Sequence, residues 1–179
     1  MTTIETERLI LRPFVDGDAA RVLDIHSRLE VIRWLSDPPH VPMADLDEAR
    51  AWIADWAATS DGGPYDVGLA IEVKATGLMI GALMIVPEPN ANYDERQIGW
   101  QLHPDSVGHG YATEAAGALL DDAFDRGLDE IWCGMFPDNA ASAAVAERLG
   151  LRPLGVVPDP WYEGEGRLFF ATREEWINR

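Results

Sequence analysis

Gly108 and Gly110 bracket one residue, His109, and a helix-like run of small residues starts directly after them at Tyr111. A glycine-bracketed turn leading from a strand into a helix makes an anion cradle. The first amides of a helix have no partner within it. The helix dipole adds about half a positive charge at that end. Glycines carry no Cβ, so phosphate oxygens can approach the backbone closely. The candidate donors are the backbone N–H groups of Val107, Gly108, His109, Gly110, Tyr111 and Ala112. No Lys or Arg lies between Gln97 and Arg126, so an anion here would be held by amides and dipole. The same residues would also suit a tight turn with no ligand. The dinucleotide fingerprint G-x-G-x-x-G fails, because Thr113 stands where its third glycine belongs. No Gly-Lys-Ser/Thr is present either. One cysteine and scattered histidines make no metal cluster, and no Ser–His–Asp pattern stands out.

The elements around this turn follow from periodicity. Thr6–Phe14 reads as a first strand. Asp16 marks the start of a helix, and "EVIRWL" a short second one. Asp45 and Glu48 have capping-box spacing, and Ala49, Trp52, Ile53 and Trp56 form one buried stripe behind them. Val67, Leu69, Ile71 and Val73 alternate as a half-buried strand. Leu78–Val86 is a nearly continuous apolar run and reads as the next, central strand of a hairpin. A loop over 87–94 leads to "ERQIGWQLH", where Gln97, Gly99, Gln101 and His103 share one side of the strand. After the glycine turn, Ala112, Ala115, Ala116, Leu119, Leu120 and Ala123 give a helix with a narrow, mostly alanine stripe, which lets its axis lie close to a sheet. "EIWCGMF" must then run parallel to the strand before the turn, because a helix carries the chain back. A further helix buries Ala141, Ala144, Val145 and Leu149. Two last strands, near Leu151–Val157 and Arg167–Thr172, flank "PDPWYEGEG". The expected fold is a single α/β (α+β) domain over residues 1–179. Its mixed, mostly antiparallel sheet has six to seven strands flanked by helices.

The 179 residues suffice for one sizeable core, and the formal net charge is −17. That charge repels nucleic acid and anionic lipid and could attract a cationic substrate, although it also serves solubility. Cys133 is the sole cysteine, so no intrachain disulfide can form. The first residues show no basic-then-apolar leader pattern, and no apolar run is long enough to span a bilayer. A cytoplasmic protein is expected, with no nucleic-acid or membrane partner.

"GWQLHPDSVGHGYATEAAGALLDDAF" resembles the acetyl-CoA-binding motif of the GNAT superfamily of N-acetyltransferases. "TERLILRPF", "DNAASAAVAERLGL" and "LFFATREEW" agree, in order, with its ribosomal-protein N-terminal acetyltransferase-like branch. The resemblance covers essentially the whole chain. It implies that acetyl-CoA is the cosubstrate, with no metal. It implies that Gly108, Gly110 and the helix start Tyr111-Ala112-Thr113 cradle the pyrophosphate. The strand before the turn should splay from its parallel neighbour, the pantetheine arm entering that gap and pairing with strand backbone around Trp100–His103, Leu102 included. Asn139 matches the family asparagine near the cofactor, and Ser142 the serine near the thioester sulfur. Without the resemblance, Asn139 would serve as a helix cap and Ser142 as a first-turn residue.

The departures are as informative. Asp105 stands at the loop's usual Gln/Arg position, so its side chain should point outward. Ala146 replaces a common tyrosine acid, which leaves Ser142, or water, as the proton donor to the leaving thiolate. Gln97 replaces a common glutamate base and could only orient a water. His103 on the same strand side is a base candidate ahead of Glu95 and Glu114, or a structural strand-end histidine; deprotonation relayed by water with no single base is the alternative, while His26, His40 and His109 read as solvated. Trp161 and Tyr162 are candidates for a substrate wall, or for core packing. The implied activity is acetyl transfer to a primary amine, possible acceptors being a protein N-terminus or a small, cationic amine, by a monomer or homodimer. A CoA-binding sensor without turnover is the alternative. A nucleotide-binding domain of another family is the third reading.

Overall fold

The computed structural model describes residues 3–60, 62–89 and 95–179. Eight strands form one sheet: β1 (Ile4–Glu5), β2 (Leu9–Arg12), β3 (Val67–Val73), β4 (Leu78–Pro87), β5 (Arg96–Leu102), β6 (Glu130–Met135), β7 (Arg152–Pro158) and β8 (Glu165–Thr172). Their order across the sheet is β1-β2-β3-β4-β5-β6-β8-β7. All neighbours pair antiparallel except β5 and β6, which run parallel. The eighth strand comes from the N-terminus. Thr6 turns the chain there, its amide and hydroxyl bonding Leu9. The strand expected over Thr6–Phe14 is thus confined to Leu9–Arg12, with β1 preceding the turn and pairing back on it. The loop expected over 87–94 falls partly on residues 90–94, outside the described residues.

The helices are α1 (Ala19–His26), α2 (Leu29–Ile32), α3 (Leu46–Thr59), α4 (Tyr111–Asp125), α5 (Ala140–Leu149) and α6 (Arg173–Ile177). Asp45 caps α3 by accepting from Asp47 N and Glu48 N. Glu48 reaches back one residue further than a capping box, to Ala44 N. One core joins α4 and α5 to the sheet through Leu83, Ile98, Leu119, Phe124 and Phe169. A second, smaller cluster beneath α1 and α3 gathers Phe14, Val22, Ile25, Ala49, Ile53 and Met79.

The alanine stripe of α4 is buried along its whole length, as the spacing requires. On α5 the stripe is rotated: Ala143, Val145, Ala146 and Leu149 are buried, while Ala141 and Ala144 line a cleft. With alanine at four of those six positions, apolar spacing cannot say which face is inward.

Candidate functional site

The parallel pair creates the site. β5 and β6 share a single registered pair, Gln97 with Trp132. Beyond it β5 follows β4 to Leu102, while β6 follows β8 to Met135. The two strands therefore diverge, and a cleft of about 1240 Å³ opens between them. Trp100, Leu102, Gly134 and Met135 line it from the strands, Asn139 and Ser142 from α5, and Val107, Gly108, Gly110, Tyr111, Ala112 and Thr113 from the turn and α4.

The turn has the conformation that its glycines allow. Gly108 has φ +81° and Gly110 φ +78°, left-handed values that side chains disfavour. Gly110 is the N-cap of α4 and offers no side-chain cap to the amides that follow. Those first-turn donors are free for a ligand. Thr113 adds a buried hydroxyl that finds no partner among the described residues. Unpaired donors, an orphaned hydroxyl and open space where a Gly108 side chain would lie suit a polyphosphate. The site thus fits the group that the resemblance implies.

Two arginines distant in sequence brace this turn. Arg8 pairs with Glu114 in the first turn of α4, its Nε 2.6 Å from Oε2, and donates from Nη1 to His109 O at 3.0 Å. Arg21 on α1 grips Asp105 through both carboxylate oxygens at 2.9 Å. Burial works against the Asp105 charge, but bonds from Ser106 and Arg21 outweigh it and hold this acid at about 2. Asp105 therefore turns away from the cleft with its charge compensated. Neither arginine lines the cleft, so they support the turn from outside and leave its amides to face an anion.

His103 does not have a base's setting. It is 4 % exposed and lies outside the cleft lining. Its Nδ1 accepts from Asp105 N at 3.1 Å and its Nε2 meets Asp24 at 3.0 Å. Both ring nitrogens are spent on fixing the turn after β5. Glu114 is likewise engaged, by Arg8 and Thr6. His109 is exposed, stacks on Tyr111 and accepts from Arg8 through its carbonyl, outside the cleft lining. His26, expected in solvent, is half-buried in the cleft beside Trp52, and burial lowers its pKa to about 4.

Asn139 Oδ1 caps α5 by accepting from Ser142 N at 3.1 Å. The cap and the cleft position coincide, so the two readings of these residues do not compete. At the other end of the cleft, Gln97 Nε2 donates to the Tyr162 hydroxyl at 2.9 Å. Asp159 orders that loop, its Oδ1 accepting from Trp161 N and Tyr162 N. Trp161 is buried edge-on against Trp132 and also lines the cleft. Trp52 and Trp56, read from sequence as core, also line it, stacked 4.4 Å apart. Glu88, just beyond β4, was not singled out from sequence at all, yet it lines the cleft as a buried acid. Its signal, a glutamate between two prolines, is only that of a loop.

The acetyltransferase (GNAT) domain family matches residues 8–152. The YkkB protein of Bacillus subtilis (strain 168) is 33% identical over 153 residues, covering 84% of this chain and 85% of its own. An acetyltransferase from Agrobacterium tumefaciens str. C58 is 30% identical, with a TM-score of 0.77 over 96% of this chain and 95% of its own. RimJ of Mycobacterium smegmatis, solved in complex with CoA-disulfide, shares the fold at a TM-score of 0.81. It is 22% identical, over 97% of this chain and 88% of its own.

Proposed function

The chain belongs to the acetyltransferase (GNAT) family, and from that premise we propose that it transfers an acetyl group from acetyl-CoA to the primary amine of a cationic acceptor. The observation that carries this reading is one continuous cleft with two chemically different ends. At one end lie the amides and the Thr113 hydroxyl of the cradle. Toward Gln97 and Tyr162 lie Glu88, Asp159, Glu163 and Glu165; Glu30 and Asp37 also line the cleft, and Arg148 on α5 is the only Arg or Lys among the described lining residues.

In this reading Gly108, Gly110 and the amides up to Thr113 hold the pyrophosphate. Arg148, which lines the same cleft, would meet a further phosphate of the CoA, and Asn139 and the edge of β5 by Leu102 would flank its arm. Acetyl-CoA supplies the thioester acetyl group. Gln97 and Tyr162 form a hydrogen-bonded pair that orients the acceptor, with Trp161 as the wall behind them. Ser142, at the start of α5, supplies a proton to the departing thiolate.

Three results are expected. Acetyl-CoA at a hundredfold excess over its Kd stabilises the fold by about 2.7 kcal/mol, read as a rise in Tm; a rise with NADH or ATP instead would point to the nucleotide-binding reading. Ser142→Ala lowers kcat roughly tenfold to a few hundredfold, with acetyl-CoA affinity nearly unchanged, because its hydroxyl acts only as the C–S bond breaks. The KM of a cationic acceptor rises between low and physiological salt, because screening weakens attraction to the acidic end. Free-thiol release assayed against polyamines and peptide N-termini tests the function. Acetyl-CoA binding without thiol release would mark a sensor instead.

A further inference from the structure

We propose that Glu88 is the general base that takes the proton from the acceptor's ammonium group, a role that rests on the acetyl-transfer reading above. Glu88 is 4 % exposed, and its Oε2 lies buried with no hydrogen-bond partner among the described residues. It lines the cleft at the end that also holds Gln97, Trp161 and Tyr162. Its backbone is fixed, since Glu88 N donates to Glu95 O at 2.8 Å and extends the β4–β5 ladder. A buried carboxylate oxygen without a partner, on a residue that lines a cleft, is costly. An ammonium ion entering the cleft would supply that partner.

The charged and titratable groups around it set its proton affinity. Burial is the first cause that pushes its pKa up, to about 8, and the carboxylates of Asp159 and Glu95 push in the same direction. Cys133 on β6 and the Tyr162 hydroxyl feel the Glu88 charge and are both driven upward in turn, burial being the larger cause for each. The Cys133 thiol, at about 12, is thus no rival base at neutral pH. A base poised close to working pH is the efficient one. Gln97, on the neighbouring strand, cannot accept a proton at neutral pH and donates to Tyr162 instead.

The proton balance closes. Glu88 takes one proton from R–NH3+, leaving a neutral amine. The amine nitrogen bonds to the acetyl carbon and the C–S bond breaks. The second proton lost by nitrogen balances the one that the thiolate gains through Ser142 or water. Glu88 then returns its proton to solvent. The products are the N-acetylated amine and free CoA thiol.

Glu88→Gln keeps the shape and hydrogen-bonding capacity of the protonated acid, so it should fold and bind acetyl-CoA by calorimetry as the wild type does. With spermidine, putrescine and an alanyl peptide as acceptors, kcat should fall about a hundredfold on whichever is acetylated. The wild-type kcat/KM for the acceptor should rise with pH up to an inflection near 8, which the variant should lack. Stability gives a readout independent of turnover. A carboxyl whose folded pKa lies above its unfolded value binds more protons in the folded state, so stability falls as pH rises between those two values. The Tm of Glu88→Gln relative to wild type should therefore climb from pH 5 to pH 8. A flat Tm difference would show an ordinary, solvated glutamate and overturn the proposal. So would a variant with full turnover and an unchanged pH profile. Should the wild type acetylate none of the amines, the acetyl-transfer reading fails first and the role of Glu88 falls with it.

Discussion

Gly110→Asp is expected to weaken acetyl-CoA binding on the order of 10²- to 10³-fold with the fold intact. A Cβ at Gly110 would find only Arg8 Nη2 within reach, at an ordinary 3.6 Å. The left-handed φ of +78° is one that Asp tolerates better than most residues. The substitution therefore puts a negative charge at the mouth of the cradle at little structural cost. Two unit charges 4 Å apart interact by about 4 kcal/mol near a protein surface. Arg8, already committed to Glu114 and to His109 O, offsets only part of that repulsion. Gly110→Ala, which adds the side-chain carbon without the charge, should lose far less. Calorimetric titration of the two variants separates charge from shape. Equal losses would mean that the backbone conformation, rather than an anion, is what Gly110 serves.

Phe124→Ala should cost about 3–5 kcal/mol of stability. Phe124 is among the largest fully buried side chains. It fills the space where α4 meets the sheet and packs 5.7 Å from the ring of Trp176 on α6. Removing it leaves a cavity beneath the helix whose other end presents the cradle. For a chain of this size the loss corresponds to roughly 6–20 °C in Tm. Differential scanning calorimetry measures it directly. A shift of only a degree or two would mean that α6 closes onto the gap.

The parts of this account legible in the sequence are those carried by local spacing. The alanine stripe of α4, the helix start behind Gly110 and the parallel β5–β6 pair are each written in a short window of residues, and the structure has them there. What the sequence hid depends on contacts between distant segments. Arg8 and Arg21 lie about a hundred and about eighty residues from their carboxylates. No local pattern could have assigned them to the glycine turn. Strand alternation puts His103 on the Gln97 side, which suits a base candidate and a structural histidine equally. That inference was sound as to side and silent on what covers it, namely α1 with Asp24. Trp52 and Trp56 sit at helical spacing that suits core and cleft equally, since an apolar wall and an apolar core share a period. Glu88 carries no pattern at all. Its significance arises only when the sheet buries it beside Cys133 and the Tyr162 loop.

The central claim is that the glycine cradle and the acidic, aromatic end of one cleft work together in acetyl transfer. Initial rates of free-thiol release from acetyl-CoA, measured with and without each amine, test it most directly. The expected result is saturable release that depends on a cationic amine, collapses in Gly110→Asp through KM for acetyl-CoA, and persists at normal KM but reduced kcat in Ser142→Ala. Amine-independent release, or tight acetyl-CoA binding with no release from any amine, would contradict it.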